Sequence, residues 1–200
     1  MLYGILRLLF RLTFKAFFRN VHQHRPELMP NKGPLIVCAN HPGAFLDPAL
    51  IATLLDTEVF FLAKGSVFKG AFAKWFFPKL NMIPVYRQQD DPSMMHKNQE
   101  TFEKCFEHLG KGGTILLFPE GISITERKLR PIKTGAARIA LGAEAKFANQ
   151  LGVKIACMGL NYDNPHAFRR DVYVSYSEAI ILEPYFEKYK EDAFAAFSPD

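Results

Sequence analysis

"PLIVCANHPGAFLDPALIATLL", residues 34–55, runs from an unbroken apolar segment through a short turn into a second apolar segment that opens on Asp-Pro. An apolar run of this length between Pro34 and Asn40 has the pattern of a strand covered on both faces. Asp47-Pro48 is a helix-start signal, with the carboxylate as cap and the proline at the first helical position, where its missing N–H costs nothing. Strand, turn and helix in that order form the first half of a crossover unit, which points to a parallel sheet.

Working outward, the same alternation repeats. "EVFFLAK" (58–64), "NMIPVY" (81–86), "TILLFPEG" (114–121), "VKIACMGLNY" (153–162) and "DVYVSYSEAI" (171–180) read as further strands. The segments 64–80, 93–113 and 133–150 read as helices, the second stopped by a Gly-rich end and the third Ala-rich enough to lie close on a sheet. The fold class is therefore α/β: a mostly parallel twisted sheet with helices on both faces, preceded by an N-terminal amphipathic helix. A chain of 200 residues with 48% hydrophobic and 22% charged residues suits one domain with a full core. Cys38, Cys105 and Cys157 lack ligand-like spacing and sit in apolar segments, so they read as buried thiols.

In open α/β sheets, ligands sit beyond the carboxyl ends of the strands. The conspicuous polar residues gather there: Asn40 and His41, Lys64, Arg87, Glu120, and Asn161 with Tyr162. A histidine at a strand end with a carboxylate six positions on is the pairing an oriented general base needs, since the carboxylate fixes the tautomer and stabilises the imidazolium. Asp47 as a helix cap and His41-Pro42-Gly43 as a plain turn account for the same residues without chemistry. Glu120 likewise reads either as a solvated turn residue or as one wall of a polar pocket. Arg87, directly after an apolar strand, reads either as the partner of a surface carboxylate or as a phosphate clasp, which its planar guanidinium suits. No GxSxG elbow is present, and Ser123 lies in a loop.

The first twenty residues, "MLYGILRLLFRLTFKAFFRN", place Arg7, Arg11, Lys15 and Arg19 along one slanting stripe of a helix, with leucines and phenylalanines around the rest. A cation at every turn argues against a spanning helix, and the charge order argues against a signal peptide. The remaining choices are a basic amphipathic helix in the plane of lipid headgroups and a helix packed on its own domain; the first is the expectation, with the four cations adhering to anionic lipids. "KGSVFKGAFAKWFFPKL" (64–80) mixes Lys64, Lys69, Lys74 and Lys79 with aromatic rings in the same way. The net charge of +5 favours an anionic partner, but no nucleic-acid-binding module accompanies it.

Four blocks together resemble the glycerolipid acyltransferases typified by lysophosphatidic acid acyltransferase: "NHPGAFLD" (40–47), "MIPVYR" (82–87), "LFPEGIS" (117–123) and "VKIACMGLNY" (153–162), in the family's order over residues ~35–165. The resemblance implies transfer of a fatty acyl group from acyl-CoA or acyl-carrier protein to a hydroxyl of lysophosphatidic acid or a related phosphorylated glycerol, in phospholipid biosynthesis. It assigns His41 as the base and Asp47 as its orienting partner. Lys64 and Arg87 become phosphate ligands, with Glu120, Gly121 and Ser123 beside the acceptor. Neither a metal nor a resident cofactor is implied. Other lyso-lipid acceptors, and a non-catalytic module that binds lipid or acyl-CoA, are the alternatives. The division that follows is an interfacial segment, 1–30, and an acyltransferase domain, 31–200, on the cytoplasmic face of a membrane as a peripheral or monotopic protein.

Three departures from the family pattern stand out. The common spacing has four residues between His and Asp, whereas Pro42 to Leu46 make five here. The third block often continues Gly-Thr-Arg; Ile122 and Ser123 replace that ending, leaving Arg127, Lys128 or Lys133 to supply the missing cation. Cys157 stands where the fourth block usually has proline.

Overall fold

The computed structural model describes residues 2–86, 92–126 and 128–190. Its elements in chain order are α1 (Leu2–Phe17), β1 (Val21–His24), β2 (Leu35–Ala39), α2 (Leu46–Leu54), β3 (Val59–Lys64), α3 (Ala71–Phe76), β4 (Met82–Val85), α4 (Asn98–Gly110), β5 (Thr114–Leu117), α5 (Gly135–Lys146), β6 (Lys154–Tyr162), β7 (Val172–Tyr176) and β8 (Ile180–Ile181). One sheet runs in the order β1-β7-β6-β2-β5-β3-β4, with β8 beside β6. From β4 through β3, β5 and β2 to β6 every pairing is parallel; β7 and β8 join β6 antiparallel, and β1 is parallel to β7.

β2 and β5, at the centre, are buried at every position because both faces are covered. The period of two sorts their side chains into two cores. Leu35, Val37 and Ala39 enter the core under α1 and α2, together with Met158, Leu160 and Tyr162. Ile36 and Cys38 enter the core under α4 and α5, with Ile115 and Leu117. On that side Gly142 of α5 lies so close to α4 that a Cβ would stand 2.6 Å from the Phe106 ring.

Residues 1–30 are partly woven into the domain rather than appended to it. The sequence reading has no strand at 21–24, yet β1 forms the outer rung of the sheet, in register with Val172–Ser175. Beside it, Arg19 clasps Asp171 through two bonds of 3.0 and 2.6 Å, and Asn20 adds a third at 3.1 Å. The Arg19 guanidinium holds the Asp171 carboxyl well below the usual carboxylate range. Phe14 and Phe18 lie in the core, and the Tyr3 hydroxyl accepts the Val59 N–H at 3.1 Å.

The cationic stripe of α1 is turned differently from the expectation. Arg7 donates to the carbonyl of Leu55, and Arg11 donates to the carbonyl of Thr53 at 2.9 Å. These oxygens lie at the C-terminal end of α2, where the helix leaves carbonyls unsatisfied and the dipole favours a cation. Arg7, Arg11 and Arg19 are thus engaged by protein groups, while Ile5, Leu8, Leu9 and Leu12 are more than half exposed on the outer side. Next to α1 lies the turn Phe77–Leu80 that follows α3, and α3 presents Phe72 and Trp75 outward with Lys79 over the indole at 3.4 Å. Among the described residues no helix is long and apolar enough to cross a membrane.

Candidate active site

The site begins where β2 runs out. The side-chain amide of Asn40 continues the ladder, donating to the Leu160 carbonyl at 2.8 Å and accepting the Leu160 N–H at 2.6 Å. The next residue, His41, is thereby fixed at the carboxyl end of the sheet. Its Nδ1 lies 2.7 Å from Asp47 Oδ2, and its ring stacks on Phe118 with centroids 3.8 Å apart and planes 9° from parallel. Nδ1 bonded to a carboxylate leaves Nε2 as the basic ring nitrogen.

Asp47 is fully buried. It is not the helix cap that Asp-Pro suggests: α2 starts at Leu46, and Asp47 sits in its first turn with its carboxylate reaching back. Oδ2 accepts the Gly43 N–H at 2.8 Å as well as the His41 bond, and Oδ1 accepts the Tyr162 hydroxyl at 2.7 Å. Both oxygens therefore have donors, which is the condition for keeping a charged carboxylate out of water. Gly43 is required, because a Cβ there would stand 2.7 Å from Asp47 Oδ1 and 3.1 Å from the Tyr162 ring.

The five-residue spacing is absorbed by a single unusual backbone conformation. Ala44 has φ +50°, in the left-handed region, and its N–H is held by Ser123 Oγ at 3.0 Å. Ser123 Oγ also donates to the His41 carbonyl at 2.9 Å, and Thr125 Oγ1 donates to the Pro42 carbonyl at 2.9 Å. Ser123, expected beside the acceptor, thus braces the histidine turn from outside. Glu120 is buried rather than solvated: Oε1 accepts the His41 N–H at 3.3 Å and Oε2 accepts the Arg130 N–H at 3.4 Å. Gly121, at φ +69°, passes beneath Lys133, whose Nζ would lie 2.8 Å from a Cβ at that position.

A cavity of about 830 Å³ opens beside the imidazole. Its lining includes His41, Glu120 and Tyr162, the apolar Leu129, Ile132 and Ile155, and the ammonium-bearing Lys128 and Lys133. Cys157 is exposed at this wall, which corrects its reading as a buried thiol; Cys38 and Cys105 are buried, and burial pushes each thiol up to about 12. Lys64 ends β3, two strands from β2, and does not line the cavity. Arg87 and Arg127 lie outside the described residues. The sequence reading noted Tyr162 only as polar and near a strand end; its contact with Asp47, like the stacking of Phe118 on His41, spans the fold and has no local signal.

An imidazole oriented by a buried carboxylate, open to a mostly apolar cavity with ammonium groups, is equipped to take a proton from a hydroxyl on an amphiphile. The general acyltransferase family model matches residues 20–160, which includes β1, the His41 turn, the 117–123 segment and most of β6. The chain belongs to the acyltransferase family. Glycerol-3-phosphate O-acyltransferase 2 of Saccharomyces cerevisiae is 24% identical over 95% of this chain and 39% of its own length. The chloroplastic 1-acyl-sn-glycerol-3-phosphate acyltransferase BAT2 of Brassica napus is 28% identical over 64% of this chain and 36% of its own. This acyltransferase chain spans less than two-fifths of the length of these curated relatives. The solved 1-acyl-sn-glycerophosphate (LPA) acyltransferase PlsC of Thermotoga maritima shares the fold, with a TM-score of 0.64 over 99% of this chain and 81% of that one, at 18% identity.

Proposed function

We propose that this acyltransferase moves a fatty acyl group from a thioester donor, acyl-CoA or acyl-carrier protein, to the hydroxyl of lysophosphatidic acid or a related phosphorylated glycerol. The observation that carries the reading is the 2.7 Å bond between His41 Nδ1 and the buried Asp47 at the mouth of an apolar cavity. His41 Nε2 takes the acceptor's hydroxyl proton, and the alkoxide oxygen forms the new C–O bond at the thioester carbonyl. The C–S bond then breaks, and the thiolate leaves with the proton held by the imidazolium. No covalent acyl-enzyme is needed. Positioned proton transfer of this kind contributes about 10²–10⁴-fold, roughly 3–5 kcal/mol.

Of the three candidates for the missing cation, Lys133 has the best support as a ligand for the acceptor phosphate, because its ammonium lies over Gly121 beside Glu120 and along the same cavity as His41. Lys64 and Arg87 are the residues that the family resemblance assigns to the acceptor phosphate; Lys64 ends β3 outside the cavity lining, and Arg87 lies outside the described residues. Adhesion to lipid is assigned to the outer leucines of α1 and the aromatic face of α3, with Lys74 of α3 and the flanking Lys69 and Lys79 near headgroups. The named acceptors of the relatives, glycerol 3-phosphate and 1-acylglycerol 3-phosphate, are the first two to test.

The test is incubation of the purified chain with radiolabelled acyl-CoA and a panel of acceptors: glycerol 3-phosphate, lysophosphatidic acid, and lyso-lipids without a terminal phosphate. Acceptor-dependent product on the phosphorylated glycerols supports the proposal. Tight acyl-CoA binding with no product on any acceptor, or CoA release indifferent to acceptor, overturns it.

A further inference from the structure

We infer that Tyr162 is a positioning residue of the catalytic pair, which sets the basicity of His41 through Asp47; the inference rests on the reading of His41 as the base. Three donors reach the Asp47 carboxylate: the Gly43 N–H and His41 Nδ1 on Oδ2, and the Tyr162 hydroxyl alone on Oδ1. The first two come from the same turn as Asp47 and follow any movement of it. Tyr162 comes from the end of β6 and is anchored independently, with its ring 5.9 Å from Phe18 and its strand paired to Val172.

This external hold matters because the turn between His41 and Asp47 carries a left-handed alanine and so has a reason to relax. A carboxylate rotated away from Nδ1 would release the tautomer and the ring together. Tyr162 is also a permanent donor. Burial, and then the Asp47 charge, push its hydroxyl well above the ordinary phenol range, so it stays protonated across the neutral range. A proton shared with Oδ1 draws charge from the carboxylate and leaves less to stabilise the imidazolium. The bond therefore lowers the affinity of His41 for a proton while holding it in line.

The other charged groups around the pair are Asp47 from α2, bonded to the imidazole, and Glu120 after β5, Glu126, Lys128 and Lys133 from the segment before α5, and Asp163 after β6, which line the same cavity as His41. Tyr162→Phe changes none of them and keeps the ring over Gly43. In that variant the imidazole signal lost in His41→Ala moves to a higher pKa by about one unit in a histidine NMR titration. Over the same comparison kcat at neutral pH falls about tenfold while KM stays within about twofold. Replacement of Tyr162 by 3-fluorotyrosine, a stronger donor of nearly the same shape, moves the titration the opposite way. In an Asp47→Asn background, Tyr162→Phe has no further effect on the residual rate.

The titration needs no substrate, so it decides the role of Tyr162 even if no acceptor is acylated and the functional reading fails. Thermal melting shows whether Tyr162→Phe is folded, and the fluorinated protein keeps the question answerable if it is not. A His41 titration unmoved by either replacement, or an equal rate loss with and without Asp47, overturns the inference.

Discussion

The turn after β2 and the helix α1 both set charged residues among apolar ones, and the fold uses the two patterns in opposite senses. At the turn, every polar side chain faces inward to a partner: His41 to Asp47, Asp47 to Tyr162, Glu120 and Ser123 to the main chain of the turn. In α1 Arg7 and Arg11 bond to the end of α2, and Arg19 just beyond it pairs with Asp171, while Ile5, Leu8, Leu9 and Leu12 stay exposed to solvent. Periodicity shows which residues share a stripe; it does not show which side of the stripe meets protein. A guanidinium that finds an orphan helix carbonyl gains more than one left in water beside a screened headgroup.

The sharpest way to break this contrast is to change the outer face of α1 alone. Ile5, Leu8, Leu9 and Leu12 changed together to Ser reduce binding to anionic vesicles by about 100-fold or more, because each side chain is worth on the order of 1–2 kcal/mol when removed from water. Sedimentation reads the loss, and the melting temperature stays within a few degrees. Retained vesicle binding would mean that the surface lies elsewhere. Deletion of residues 1–20 is a poorer probe, since it also removes Phe14 and Phe18 from the core.

A smaller effect is expected from the arginines, and on a different observable. Arg7→Ala with Arg11→Ala lowers stability by about 2–3 kcal/mol through the unsatisfied carbonyls at Thr53 and Leu55. Vesicle binding by the folded variant changes little. Vesicle release with unchanged melting would return the arginines to the headgroups.

The smallest effect concerns the β1 edge. Asp171 is held below its unfolded pKa by Arg19, so its contribution to stability is complete above about pH 4, the unfolded value, and is lost as pH falls toward the folded one. Arg19→Ala flattens the acid-side slope of stability against pH and leaves the profile above pH 6 parallel to the wild type. An unchanged acid slope would dissociate Arg19 from Asp171.

How much of this was legible follows from the range of each signal. The central strands were, because Leu35–Ala39 and Thr114–Leu117 are apolar throughout and bounded by Pro and Gly. So was the gathering of His41 and Glu120 at strand ends, since a parallel sheet puts those ends on one side. β1 was not: "VHQH" is polar and exposed, and its strand character comes from Val172–Ser175 across the fold. The reversal at β7 was not, because a strand's own residues do not state its direction. The apolar segment around Cys157 hid a side chain that faces a cavity, and nothing near Asp47 in the chain announces Tyr162.

The claim on which the account turns is that His41 takes the acceptor's proton. The most direct measurement is acceptor-dependent CoA release by wild type and His41→Ala at matched folding, judged by melting temperature, across a saturating range of the acceptor the panel selects. A loss of about 10²–10⁴-fold or more, with acyl-CoA affinity retained, is the predicted result. Turnover within about threefold of wild type in the folded variant would contradict it.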